Sequence, residues 1–145
     1  MERARPAPGV LEAIAETDAV LVAPSNPVVS IGTILGVPGI ADALRRTSAP
    51  VVGVSPVIGG AVVRGMADAC LAAIGVETSA EAVGRHYGAR SGGGLLDAWL
   101  VGEEDADAVP ALESAGLRAR SVPLWLTGRD ASVRLAADTL AAARG

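Results

Sequence analysis

The sequence has 145 residues, a net charge of −4, and an apolar content of one half. That length suits one domain with a real core, and the composition excludes a disordered chain. All twelve basic residues are Arg, Phe is absent, and there are only one Tyr and two Trp. These counts remove Schiff-base and P-loop lysines, leave no electrostatic case for a nucleic-acid partner, and offer no aromatic platform for its bases. The single cysteine, Cys70, excludes an internal disulfide, fits a reducing compartment, and reads as a buried apolar position on a helix. No apolar run approaches the roughly twenty residues of a membrane span, and MERARPAPGV lacks the apolar core of a secretory signal. A soluble, cytoplasmic protein with no membrane partner is expected.

Residues 1–10 read as a Pro- and Arg-rich lead-in. Pro8-Gly9 precedes a short amphipathic helix, Val10–Glu16, with Val10, Leu11, Ile14 and Ala15 on one side. An apolar strand, Asp18–Ala23, runs into the turn Pro24-Ser25-Asn26-Pro27. Its two prolines fix φ and push the residues before them to extended conformations, so polar groups point outward, with Asn26 at the tip. A short helix covers Ser30–Leu35, with Ser30 as its cap, and a second runs from Pro38 to about Arg46. Strand two, Pro50–Ser55, is an all-apolar run of the kind a parallel strand covered on both faces requires. A loop follows, with Ser55-Pro56, Gly59-Gly60 and Arg64-Gly65, then a helix over Met66–Ile74 closed by Gly75. Residues 79–87 form a helix capped by Ser79, and Gly88–Gly94 a flexible loop. Strand three is Leu95–Val101, and a helix runs from the acidic stretch Glu103–Asp107 to Gly116. Strand four is about Ala119–Leu124, and Asp130 caps a last helix, Ser132–Arg144. Four strand–helix alternations predict a single α/β domain: a Rossmann-like parallel sheet with helices on both faces, in three layers.

In such a sheet ligands bind beyond the carboxyl ends of the strands, where Pro24–Ser30 and Ser55–Gly65 both fall. Together these loops offer Ser25, Asn26, Ser30, Ser55, the backbone N–H groups around Gly59-Gly60, and Arg64. That set suits a phosphate: small residues admit the backbone, helix starts supply N–H donors, and Arg supplies a fixed charge. The plain alternatives are a tight strand-to-helix connection and a surface ion pair for Arg64. His86 reads either as a general base or, more commonly, as a helix C-terminal residue facing the dipole. The acidic stretch reads as a solvated helix start, with a metal site as the lesser alternative. Asp68 and Asp97 are lone carboxylates near the presumed site, and neither is a catalytic candidate. No Cys/His metal spacing, nucleophile elbow, Walker pattern or Gly-x-Gly-x-x-Gly occurs.

Four blocks carry a resemblance: PAPGVLEAI (Pro6–Ile14), APSNPVVSIGTILGVPGI (Ala23–Ile40), VVGVSPVIGGAVVRG (Val51–Gly65) and LLDAWLV (Leu95–Val101). They are similar to the C-terminal half of the phospholactate transferases of coenzyme F-420 biosynthesis. The resemblance implies a deazaflavin acceptor, 7,8-didemethyl-8-hydroxy-5-deazariboflavin. It implies as donor a GDP-activated three-carbon acid, 2-phospholactate or phosphoenolpyruvate. The ribityl hydroxyl attacks the distal phosphorus, GMP leaves, and Mg²⁺ assists. It implies Ser25, Asn26, Pro27, Ser30, Ser55, Pro56, Gly59, Gly60 and Arg64 as substrate-site positions, with catalytic residues unassigned. It further implies a homodimer, and an N-terminal half, in cis or trans, that carries the Gly-rich nucleotide loop and the metal and deazaflavin aspartates. Thr33, Ala41, Met66 and Gly128 depart from residues common in the family. A second reading is a non-catalytic nucleotide-sugar-binding module, like the gluconeogenesis regulators of the same fold family. A third is an inert remnant with an open sheet edge.

Overall fold

The computed structural model describes residues 4–145, so the first three residues of the expected lead-in lie outside it. Four parallel strands form the sheet: β1 (Val20–Val22), β2 (Val51–Val54), β5 (Ala98–Val101) and β6 (Arg118–Ser121), in that spatial order. The register pairs Leu21 with Val52, Gly53 with Trp99, and Trp99 with Ala119. A two-stranded antiparallel hairpin, β3 (Val57–Ile58) and β4 (Ala61–Val62), interrupts the connection after β2. The helices are α1 (Val10–Glu16), α2 (Gly32–Leu35), α3 (Ile40–Arg46), α4 (Ala67–Ala73), α5 (Ala80–Tyr87), α6 (Val109–Ser114) and α7 (Arg129–Arg144). Among the described residues no single helix is long and apolar enough to cross a membrane.

The strand order is the chain order, so successive right-handed crossovers step the same way and leave the connecting helices on one face. That face carries the larger core, in which Val51, Trp99, Val101 and Ala119 meet Ile40 and Leu44 of α3, Leu71 of α4, Val83 and Tyr87 of α5, and Leu112 of α6. The other face carries a smaller core in which Val52, Val54, Ala98 and Leu100 meet Leu135 and Ala142 of α7, with Ile58 and Leu124. The alternation along β2 and β5 puts successive side chains on opposite faces, so both strands are apolar throughout and fully buried. The expected α/β/α layering is therefore present.

Trp99 keys the two central strands to the helical layer. Its indole is fully buried, donates from Nε1 to the Ala80 carbonyl at 2.9 Å, and meets Tyr87 edge-on with ring centroids 5.8 Å apart. It fits because two glycines make room at its opposite ends. A Cβ at Gly53 of β2 would lie 2.6 Å from Cζ3, and one at Gly84 of α5 would lie 2.9 Å from Cδ1 and Nε1.

Several elements differ from the sequence reading. Asn26, not Ser30, caps the helical segment that opens at Pro27, its Oδ1 accepting from the Val28 and Val29 N–H groups at 2.9 and 3.1 Å. The segment begins as one wide π turn, with the Ile31 N–H donating to the Asn26 carbonyl at 3.0 Å. Helix α3 starts at Ile40, because Gly39 is left-handed (φ 93°) and Pro38 lies in the turn before it. The acidic stretch forms a 3₁₀ segment, Glu103–Ala108, kinked at Asp105, and the α-helix begins only at Val109. The last helix begins at Arg129, and Asp130 sits in its first turn without capping it. Strand β6 ends at Ser121, so residues 122–127 are a loop.

Candidate functional site

A cavity of about 580 Å³ lies beyond the carboxyl ends of β1 and β2. Ser25, Asn26 and Ser30 line it from the first loop, and Ser55, Pro56 and Arg64 from the second. Val54, Ile58 and Leu124 supply apolar wall, and Trp125, Leu126 and Thr127 come from the loop after β6. The cap described above takes up Asn26 Oδ1 and so orients its Nδ2 amide as the group left to donate. The Ser55 hydroxyl is closed into its own turn, donating to the Val57 carbonyl at 2.8 Å and accepting from the Val57 N–H at 3.1 Å. Ser55 is 2% exposed, so it shapes the second loop rather than presenting a free hydroxyl. Arg64 is exposed and has no ion-pair partner among the described residues. The surface-pair alternative for it finds no partner among the described residues.

Three of the sequence-derived positions stand apart from this cavity wall. Pro27 is buried at the first position of the π turn. Gly59 and Gly60 form the two-residue turn between β3 and β4, with φ of 58° and 75°. Two successive positive φ values are what the tight hairpin demands, so the glycines are explained by the turn. The Gly59 N–H is already engaged, donating to Asp105 Oδ2 at 2.9 Å.

Asp97 and the Gly-rich loop also find structural partners. Asp97 stands at the amino end of β5, away from the cavity end of the sheet. It accepts from Arg90 Nη2 at 2.6 Å and from the Val51 N–H at 2.8 Å. Arg90 Nη1 also donates to the Thr47 and Ala49 carbonyls, which ties the supposedly flexible Gly-rich loop to the end of α3. His86 is exposed in the last turn of α5, Asp68 is exposed in the first turn of α4, and Cys70 is half-buried.

The acidic stretch is less detached than a solvated helix start. Asp105 holds the hairpin turn, and Glu104 Oε1 accepts from Trp125 Nε1 at 2.6 Å. That hydrogen bond keeps the Glu104 carboxyl below its ordinary pKa. Sequence reasoning missed Trp125, because one exposed aromatic in an irregular loop leaves no periodic trace. Among the described residues no group of three or more His, Cys, Asp or Glu could hold a metal ion. Within the acidic stretch, Glu104 Oε1 and Asp105 Oδ2 are already taken up by Trp125 and the Gly59 N–H, so these two carboxylates do not stand as a free pair for a metal ion.

The family model described as 2-phospho-L-lactate transferase CofD matches residues 1–122. The chain belongs to this family. Its relatives include a phosphoenolpyruvate transferase of Streptomyces griseus, 58% identical over 139 residues, which are 96% of this chain and 42% of that protein. A phosphoenolpyruvate transferase of Kitasatospora aureofaciens is 58% identical over 142 residues, 98% of this chain and 43% of its own length. One from Nocardia farcinica is 56% identical over 139 residues, 96% of this chain and 40% of its own. The chain thus spans about two fifths of the length of these curated relatives. Within the CofD family match lie the two loops of the cavity, Trp99 and its glycines, and the Glu104–Asp105 pair. Trp125 and α7 follow it in the chain.

Proposed function

We propose that this chain forms one wall of the active site of a transferase of coenzyme F-420 biosynthesis. The reaction transfers a phosphoenolpyruvyl or phospholactyl group from its GDP-activated form to the ribityl hydroxyl of 7,8-didemethyl-8-hydroxy-5-deazariboflavin. The hydroxyl oxygen forms a new bond to the distal phosphorus, the phosphoanhydride bond breaks, and GMP leaves with that bond's electron pair. The hydroxyl proton passes to solvent. Of the two acids, phosphoenolpyruvate is favoured by the names of the relatives.

The observation that carries this reading is the cavity, where Arg64 has no ion pair among the described residues and shares the wall with Ser25, Asn26 and Ser30. A fixed cation beside short polar side chains holds a diphosphate and orients it for in-line attack, which is most of what such a reaction needs from protein. The Gly-rich nucleotide loop and the aspartates expected to hold the family's Mg²⁺ and the deazaflavin are assigned to the portion of the longer relatives that this chain does not span. The working enzyme is proposed to be a homodimer of the complete protein.

The test is GMP release from the activated acid and the deazaflavin in Mg²⁺ buffer, by this chain alone and mixed with a separately expressed N-terminal half of a relative. Release only in the mixture is the expected result. No release in the mixture, with GDP still bound by this chain, would overturn the transferase reading in favour of a binding module.

A further inference from the structure

The chain's two tryptophans are used in opposite ways. Trp99 is fully buried, whereas Trp125 is 49% exposed on the cavity wall. The loop around Trp125 is anchored by its neighbour, since Leu124 is 5% exposed and packs in the smaller core with Leu135 of α7. The indole is anchored too: its only polar atom, Nε1, donates to Glu104 Oε1 at 2.6 Å. A large aromatic side chain left half in water yet held at both backbone and ring is already ordered. Little conformational entropy remains to be lost when something covers it.

We propose that Trp125 is a stacking face for the planar heterocycle of the bound ligand, with Glu104 as the positioning residue that fixes the indole plane. The ligand class is a planar aromatic heterocycle carried on a sugar or sugar alcohol toward a phosphate group. Trp125 takes the ring, and Arg64, on the same cavity wall, takes the phosphate. The cavity has room for such a ring, and its remaining apolar wall, Val54, Ile58 and Leu124, suits a flat heterocycle better than a bare phosphate. The stacking claim rests on this geometry. That the heterocycle is guanine or a deazaflavin rests on the transferase reading.

The full chain is titrated calorimetrically with three probes: GDP, the free deazaflavin, and inorganic pyrophosphate, which has phosphate but no ring. Trp125→Ala is expected to weaken one ring-bearing probe about tenfold to a hundredfold and to leave pyrophosphate unchanged. The probe that weakens identifies which heterocycle stacks. Glu104→Ala is expected to lose part of the same affinity and Glu104→Gln to restore it, because an amide oxygen still accepts the indole N–H. Equal affinity of Trp125→Ala and the parent chain for both ring probes, while Arg64→Ala weakens pyrophosphate, would overturn the stacking role and leave the phosphate site standing. Failure of the parent chain to bind any probe would overturn both.

Discussion

Gly84→Ala tests whether Trp99 locks the sheet to the helices as tightly as its surroundings imply. Taken alone, Ala in place of a helix-interior Gly is favourable by about 1 kcal/mol. Here the new methyl would sit 2.8 Å from Leu112 Cδ2 and 2.9 Å from Trp99 Cδ1 and Nε1, against ordinary carbon contacts of about 3.5–4.0 Å. Neither neighbour has room to retreat. Leu112 is fully buried, and the far end of the indole already fills the space over Gly53. Overpacking costs about 1–3 kcal/mol, and displacing the ring also strains the Nε1 bond to Ala80, worth about 1 kcal/mol more. The net expectation is a loss of about 1–3 kcal/mol, opposite in sign to the helix propensity. Urea unfolding followed by circular dichroism reads it as a lower midpoint at unchanged slope. In a Trp99→Phe background the same substitution should become neutral or stabilising, giving a coupling of about 1 kcal/mol or more. A Gly84→Ala chain as stable as the parent, or more so, would refute the lock. The consequence reaches the site, because the lock sets β2 against β5, and the segments leaving those strands carry Ser55, Glu104 and Asp105.

Arg64→Ala should weaken GDP binding by about 1–3 kcal/mol, read by calorimetry, and unchanged affinity would remove Arg64 from the site. Asp97→Ala should destabilise the fold by about 2 kcal/mol in chemical unfolding, since it leaves Arg90 Nε and Nη2 and the Val51 N–H without their acceptor. That figure is held below the fully buried case because both side chains are about a fifth exposed. Burial pushes the Tyr87 phenol well above its ordinary value of 10.0. The unfolded chain therefore gives up this proton first, and above about pH 10 stability should fall by about 1.4 kcal/mol per pH unit until the folded phenol also ionises. Tyr87→Phe should flatten that alkaline limb in melting curves, and with no Lys and no other Tyr in the chain little else titrates there.

What could be read from the sequence follows the physics of each element. Strands β2 and β5 are continuous apolar runs because both faces are covered, and they stand out at once. The ends of β6 leave no mark in the sequence because an edge strand of Arg-Ala-Arg-Ser has no such run. The hairpin is built from two-residue strands, too short for any period, although Gly-Gly between Val-Ile and Ala-Val is itself a turn signal. The loops forming the cavity were legible because they follow strands in a parallel sheet. The division of labour within them was not. Whether Asn26 caps a helix, Ser55 closes its own turn or Gly59 holds Asp105 depends on local backbone geometry and a contact from β5's far end. The pairing of Arg90 with Asp97, and of Trp125 with Glu104, joins segments brought together only by the folded sheet.

The two edges of the sheet are guarded unequally, and this bears on how the chain behaves in solution. Strand β6 presents exposed Arg118 and Arg120, the charged pattern that discourages another chain from pairing. Strand β1 presents Leu21, 43% exposed and in register with Val52 on the α7 face. Among the described residues α7 is the one helix on that face, and it turns Val133 and Leu140 outward, 60% and 43% exposed. An uncharged edge strand beside a half-covered apolar face invites further strands, and relatives more than twice as long have chain available to supply them. The 145-residue chain alone should therefore self-associate, with an apparent mass in gel filtration and light scattering that rises with concentration. Leu21→Lys, placing a charge on the open edge, should shift it toward monomer without loss of helical signal. A parent chain that elutes as a monodisperse monomer at every concentration would show that the β1 edge is closed by its own twist and needs no neighbour.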